Sequence, residues 1–226
     1  MSKSASVPGF VGGDQSETAE LGAHAATRES AVYVRVKRVF DLLVCISASP
    51  AVLMIIAFLT PLILLFMGPP IFFCQPRVGL NGRTFRMFKL RTMVNTSSTA
   101  RPSGATIVGD PRVTRLGRLL RRSHLDELPQ LWNILNGEMT LIGPRPEQPH
   151  LVKNYIKLLP NYELRHSVRP GLSGWAQVRY GYAADVNETG VKLRYDLYYV
   201  KNFGIALDIK IALLTVLVFM NRRYVR

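Results

Sequence analysis

After Asp41 the chain carries no charged side chain until Arg77. The stretch from Leu42 to Gln75 is too long and too apolar for a surface helix of a water-soluble domain. A single membrane crossing needs roughly 20 apolar residues, and this run exceeds that by about half. Ser49-Pro50 interrupts it early, Pro61 later, and Gly68-Pro69-Pro70 ends it. Two topologies fit. In one, a single helix crosses the bilayer with a kink at Ser49-Pro50. In the other, the chain enters, breaks at Ser49-Pro50 and returns to the same face. Arg35, Lys37 and Arg38 precede the run, and Arg77, Arg83, Arg86, Lys89 and Arg91 follow it. The tendency of basic residues to stay on the cytoplasmic side favours re-entry. A proline break in hydrocarbon also needs Ser49 or neighbouring protein to take up the freed backbone groups.

With 226 residues the chain has room for one domain plus extras. Its formal charge of +14 points to anionic partners: nucleic acid, membrane lipid or phosphorylated substrates. No zinc-finger, RNA-binding aromatic or leucine-zipper pattern is present, and the long uncharged run argues further against nucleic acid. Cys45 and Cys74 are the only cysteines, too few for a disulfide framework or thiolate metal site, which fits a reducing compartment. The N-terminus lacks the charged, apolar, then small pattern of a cleavable signal. It is rich in Ser, Ala, Gly and Thr, so residues 1–34 are expected to be a disordered tail. The expected membrane segment is 35–70, followed by a cytosolic domain over 71–226.

Ile71 to Gln75 reads as a short strand, and Gly79-Leu80-Asn81-Gly82 as a hairpin turn, because Asn-Gly accepts the positive φ such turns require. Arg83 to Met93 is the return strand, and its basic residues lie close enough to the bilayer to meet anionic headgroups. Between Asn95 and Asp110 the residues are small and polar, as in a mobile loop.

The chemistry concentrates in Ser123 to Gly137. Leu128, Leu131, Trp132 and Leu135 follow the spacing of one helix face, and Asn136-Gly137 supplies a stop. Pro129 is tolerated only in a first turn, which predicts a helix start near Asp126. Two adjacent carboxylates, Asp126 and Glu127, then stand at the positive helix end, where free N–H groups also suit a phosphate. Acidic residues in that position are also ordinary caps. Arg112 to Arg122, with five arginines and no acid, leads directly into them. An anionic nucleophile among cations suits chemistry on a phosphate ester.

Met139 to Ile142 reads as a buried strand. Gly143-Pro144-Arg145-Pro146-Glu147 is a rigid turn whose two prolines fix the backbone around Arg145, a way to hold a guanidinium against phosphate. His150 to Leu164 is a predicted amphipathic helix. Arg169 to Val178 is a glycine-punctuated loop running into a short strand. Phe203 to Met220 is apolar apart from Asp208 and Lys210, as for a helix lying in the membrane interface or on the domain. The basic tail Asn221 to Arg226 suits anionic lipid.

These residues together resemble a known family, the bacterial sugar transferases. These are monotopic polyprenyl-phosphate phosphoglycosyl transferases that start surface-polysaccharide assembly. The resemblance runs from about Lys37 to the C-terminus. It is carried by Lys37-Arg38-Val39-Phe40-Asp41, Ser49-Pro50, Gly68 to Gly79, Phe88 to Met93, Asp110 to Gly117, Ser123 to Leu131, Leu141 to Pro146 and Arg169-Pro170-Gly171. Larger relatives carry extra membrane helices and another domain before this core, which the present sequence resembles alone.

The resemblance implies an α+β, mainly helical fold. It implies a re-entrant helix-break-helix anchor and a small cytosolic catalytic domain with a β-hairpin and interfacial amphipathic helices. It implies transfer of a sugar 1-phosphate from a UDP-sugar to undecaprenyl phosphate, with Mg²⁺, at the cytoplasmic face of the bacterial inner membrane. The products would be undecaprenyl diphosphate sugar and UMP. Asp126 corresponds to the nucleophile, which would form a phosphoglycosyl-aspartyl intermediate, and Glu127 to the second acid. Both are the candidate metal ligands. Arg121 and Arg145 fall at the phosphate-binding arginines, Lys89 at the basic residue after the hairpin, and Arg91 is a further candidate. The alternative is a non-enzymatic membrane-surface module. Anionic lipids are expected partners, nucleic acid is not, and the oligomeric state, a homo-oligomer included, is left open.

Overall fold

A computed structural model describes residues 28–94, 110–181 and 185–221. The expected loop after Asn95, most of the N-terminal tail, and the basic C-terminus lie outside these residues. The fold is mainly helical α+β, with one long apolar helix and two small sheets.

Helix α1 spans Arg28–Met67 and begins inside the segment expected as a tail. The two helices expected around Ser49-Pro50 are not shown as separate elements; the helical assignment runs through both Pro50 and Pro61. Each proline follows a hydroxyl that bonds back one turn: Ser49 Oγ to the Cys45 carbonyl (2.6 Å) and Thr60 Oγ1 to the Ile56 carbonyl (2.8 Å). Such back-bonding keeps polar groups satisfied in an apolar setting and favours bending. Helix α1 is long and apolar enough to cross a membrane, and only 11% of its most apolar window is buried.

The first motif after the tail docks α1. The Arg38 guanidinium donates to the carbonyls of Ile134 and Leu135 (2.7 Å for the latter). Asp41, buried, accepts from the Thr140 hydroxyl (2.6 Å) and the Leu141 N–H (3.2 Å). Cys45 follows on the same face and joins a core cluster with Met87, Ile134 and Met139.

Strands β1 (Phe72–Val78) and β2 (Thr84–Leu90) form the expected hairpin, pairing Phe72 with Leu90 through to Val78 with Thr84. Asn81 (φ 53°) and Gly82 (φ 74°) supply its left-handed turn. Helix α2 (Arg115–Arg122) is capped by the Thr114 hydroxyl, which accepts from the Gly117 N–H. Only glycine fits at 117, because a Cβ there would lie 2.0 Å from the Thr92 carbonyl oxygen.

The next helix departs from expectation. His124 takes φ 55°, and Leu125–Glu127 forms a 3-10 turn; α3 itself covers Gln130–Leu135 with Pro129 just before it. The N–H groups of Glu127 and Leu128 are engaged within that turn, donating to the His124 and Leu125 carbonyls. Asp126 is therefore displayed by a tight turn and caps no α-helix.

Strand β3 (Thr140–Ile142) pairs in parallel with β4 (Gly171–Ser173). The backbones touch: a Cβ on Gly171 would meet the Gly143 nitrogen at 2.1 Å. The expected long amphipathic helix is shorter, α4 at Pro149–Leu158, because Pro160 excludes the residue before it from helical geometry. A 3-10 segment, Tyr162–Ser167, follows it. Within the expected loop running into a short strand over Arg169 to Val178, the strand is β4 at Gly171–Ser173, and after extended Gly174 the chain turns into α5 (Trp175–Arg179). Helix α6 (Val186–Asn202) and α7 (Ile205–Asn221) complete the chain. Helix α7 packs on the domain through Ile211 against Trp175, Tyr195 and Tyr199, while Ile205, Leu213, Val216 and Met220 stay exposed. Lys37, Tyr33 and Tyr199 all bond Asp208, fastening α7 to α1 and α6.

One buried side chain holds helix to hairpin. Asn133 accepts from the Phe88 N–H (3.1 Å) and donates to the Arg86 carbonyl (2.7 Å), completing the free edge of β2 as another strand would. Asn133→Ala should lower stability by about 1–3 kcal/mol, because it takes their partner from two partly covered backbone groups of β2. Thermal unfolding in detergent measures this, with Asn136→Ala as the control.

Candidate active site

The 3-10 turn lifts Asp126 and Glu127 beside the end of β2, where Lys89 projects. The Pro144 to Pro146 turn after β3 brings in Arg145. Lys89 Nζ lies 2.8 Å from Glu127 Oε1, and the Arg145 guanidinium engages both Glu127 oxygens (3.3 Å to Oε2). This is the bidentate fork that suits a carboxylate, doubled by an ammonium. Burial opposes ionisation of Glu127, but Arg145 and Lys89 outweigh it and hold the carboxyl well below the usual carboxylate range. Glu127 is thus a fixed, neutralised anion.

Asp126 differs. It is 7% exposed, and among the described residues no hydrogen bond reaches its carboxylate. Burial pushes its pKa up; Lys89 and Arg121 oppose this, while the neighbouring Glu127 adds to it. A carboxylate with raised basicity and free oxygens is the better nucleophile of the pair. Arg121 faces it from α2, its Nε fixed by the Thr92 hydroxyl at 2.9 Å.

Lys89, Arg121, Asp126, Glu127 and Arg145 therefore come together from four places in the chain. Arg91 does not join them. It is buried, and its guanidinium donates to the carbonyls of Met93 (2.8 Å), Gly68 (3.2 Å) and Pro69, tying the hairpin to the end of α1. Its place in the same basic stretch as Lys89 made the two look alike, but the strand sends them to different partners.

Two polar residues of α3 escaped the sequence reading. Gln130 is fully buried, with neither amide atom bonded to protein, and helical side chains tilt toward the preceding turn, which here carries the acidic pair. Asn133 is the hairpin clamp. Their spacing of three among Leu128, Leu131 and Ile134 was the available signal: two amides on a face otherwise built to be buried.

Residues 32–222 match the family described as Bacterial sugar transferase. The chain belongs to that family. This sugar transferase is similar to a UDP-N-acetylgalactosamine-undecaprenyl-phosphate N-acetylgalactosaminephosphotransferase of Aeromonas hydrophila. The two are 44% identical over 189 residues, covering 83% of this chain and 44% of that protein. It is also similar to an undecaprenyl-phosphate glucose phosphotransferase of Komagataeibacter xylinus, 42% identical, covering 80% of this chain and 35% of that one. An exopolysaccharide production protein, PSS, of Rhizobium leguminosarum bv. phaseoli is 36% identical over 82% of this chain and 96% of its own length. The chain thus spans less than half the length of the first two relatives and nearly all of the third.

The donor set fits Mg²⁺ in a restricted way. Among the described residues no three His, Cys, Asp or Glu side chains cluster. Mg²⁺ commonly binds through one or two carboxylates plus substrate phosphates, and the unbonded oxygens of Asp126 beside Glu127 meet that need.

Behind Arg145 lies His166, whose pKa is lowered to about 4 by burial and by the adjacent Arg165. The unfolded chain binds a proton near pH 6.5 that the fold refuses until about pH 4, so stability falls as pH drops through that window. His166→Gln should flatten the dependence by up to about 1.4 kcal/mol per pH unit, read by denaturant unfolding at pH 7 and pH 5.

Proposed function

We propose that this chain transfers a sugar 1-phosphate from a UDP-sugar to undecaprenyl phosphate at the cytoplasmic face of the bacterial inner membrane. The observation that carries the reading is the asymmetric acidic pair: Glu127 locked by Lys89 and Arg145, Asp126 buried with its oxygens unbonded. The relatives' names, which specify undecaprenyl-phosphate sugar phosphotransferases, support it.

In the first step an Asp126 oxygen attacks the sugar-linked phosphorus of the donor, and the bond to the bridging oxygen breaks, releasing UMP. The displaced charge falls among Arg121, Lys89 and Arg145, which is where pre-placed cations lower a phosphoryl-transfer barrier. In the second step a phosphate oxygen of the lipid attacks the same phosphorus. The P–O bond of the aspartyl acyl phosphate breaks and the Asp126 carboxylate is restored. Asp126, with its oxygens unbonded, would hold Mg²⁺, which when bound neutralises diphosphate charge; both Glu127 oxygens are taken by Lys89 and Arg145, so Glu127 offers the ion no free donor. Glu127 otherwise keeps Lys89 and Arg145 in register around the reacting phosphate.

The same reading places α1 as a re-entrant anchor. Its buried residues fall in two patches, Asp41 with Cys45, and Leu59, Ile63 and Met67, while Ile46, Leu53, Met54 and Phe58 between them are bare. On a straight helix Cys45 and Ile63 would stand about 27 Å apart. Met87 and Leu90, which belong to the clusters receiving them, are about 10 Å apart along β2. A bend at Ser49-Pro50 reconciles these positions and lets the arch dip into one leaflet.

With Mg²⁺, undecaprenyl phosphate and a panel of UDP-sugars, the purified chain should release UMP. Asp126→Asn should lower that release by at least about a thousandfold while leaving the fold intact. UDP as the released nucleotide would mean cleavage at the sugar–oxygen bond instead. Release unaffected by the substitution would remove Asp126 as nucleophile.

Topology has its own check. In a chain with Cys45→Ala and Val32→Cys, an impermeant thiol reagent should label neither Cys74 nor the new cysteine in intact spheroplasts, and both after permeabilisation. Labelling of one from outside would make α1 a span.

A further inference from the structure

The turn that presents Arg145 is held at four successive carbonyls, each from a different direction. The Pro144 oxygen accepts from the Gly171 N–H (3.0 Å), and the Arg145 oxygen from Arg165 Nη2 (2.8 Å). The Pro146 oxygen accepts from Arg77 Nη1 (3.1 Å), and the Glu147 oxygen from the Val78 N–H (2.9 Å). Three of these anchors are ordinary backbone or partly exposed contacts. The Arg165 contact is of another kind. Its side chain is 2% exposed, it forms an ion pair at 2.7 Å with Asp196 of α6, itself 3% exposed, and its Nη1 donates to the Tyr162 hydroxyl at 2.8 Å.

Two charges withdrawn from water are costly, and an apolar pair of the same volume often serves stability as well. A buried guanidinium offers what an apolar side chain lacks: a fork of fixed geometry that binds a carboxylate and a backbone carbonyl together. Here the carbonyl belongs to the residue whose guanidinium grips Glu127. We propose that Arg165, set by Asp196, is a positioning residue for the transfer reaction, fixing the Arg145 peptide so that its side chain meets the reacting phosphate in register. The inference rests on the phosphoglycosyl transferase reading above. It gives α6 a part in the chemistry: the helix lies behind the acidic pair and reaches it through Asp196, Arg165 and Arg145 in sequence.

The test is a double-mutant cycle on the full chain in detergent. It uses whichever UDP-sugar supports UMP release by the unaltered protein, and follows kcat, KM and unfolding temperature. Arg165→Lys keeps the charge for Asp196 but loses the fork. It should lower kcat about tenfold, with KM for the donor changed by less than about twofold. In an Arg145→Lys background the same change should cost less than about twofold, while the shift in unfolding temperature stays the same in both backgrounds. Asp196→Asn, which preserves shape, should repeat the pattern more weakly and serves if Arg165→Lys does not fold. Equal losses of kcat in both backgrounds, or losses that track only the folded fraction, overturn the inference and leave the transferase reading standing. An unaltered chain that is folded and releases no UMP from any donor overturns both.

Discussion

The doubled ion pair on Glu127 is the interaction around which this molecule is arranged. A carboxylate gripped by a guanidinium and an ammonium at once cannot move, and it ties three separate parts of the chain to one point: the hairpin through Lys89, the acidic turn itself, and the proline-flanked turn through Arg145. It also leaves the neighbouring Asp126, among the described residues, without a hydrogen-bond partner for its carboxylate. Two adjacent carboxylates are thereby given different surroundings, one held as a counter-charge between two cations and the other buried with its oxygens unbonded and its pKa raised by burial.

Around that point the rest of the fold is a set of fasteners. Arg38 and Asp41 join α1 to α3 and β3, Arg91 joins the hairpin to the far end of α1, and Lys37 with Tyr33 and Tyr199 closes on Asp208 of α7. Most of these are charged or polar groups placed next to apolar helix surface. The long apolar helix is thus joined to the domain by directed bonds as well as by burial, and directed bonds would select its seat even where apolar neighbours are interchangeable.

Much of this was legible in the sequence. The uncharged run announced α1, Asn81-Gly82 announced the hairpin, and the basic stretch leads into the acidic pair that Lys89, Arg121 and Arg145 surround. Local signals failed where two of them competed. Pro129 located a helix start correctly to within a turn, but a left-handed His124 inserted a 3-10 turn that spacing alone does not reveal. The glycine-punctuated stretch from Arg169 to Val178 holds a strand at Gly171–Ser173 and then a helix from Trp175, which β-favouring Trp175 and Val178 do not announce. Lys89 and Arg91 are indistinguishable as letters two apart, and only the strand's register and the end of α1 separate a side chain facing the acids from one bound to carbonyls. Arg165 and Asp196 could not be found at all, since their meaning lies in a contact spanning distant parts of the chain.

The Asn133 side chain carries a consequence for how copies of this protein meet. A two-stranded sheet has two open rims, each able to recruit a strand from another molecule. By occupying the Phe88 N–H and the Arg86 carbonyl, one amide blocks the middle of the β2 rim that faces α3. Only the β1 rim is left for strand addition, and there Val78 is already taken by Glu147. Between that covered end and the foot of α1, little ladder is left to template a fibre, so crowding of copies need not lead to cross-chain sheets.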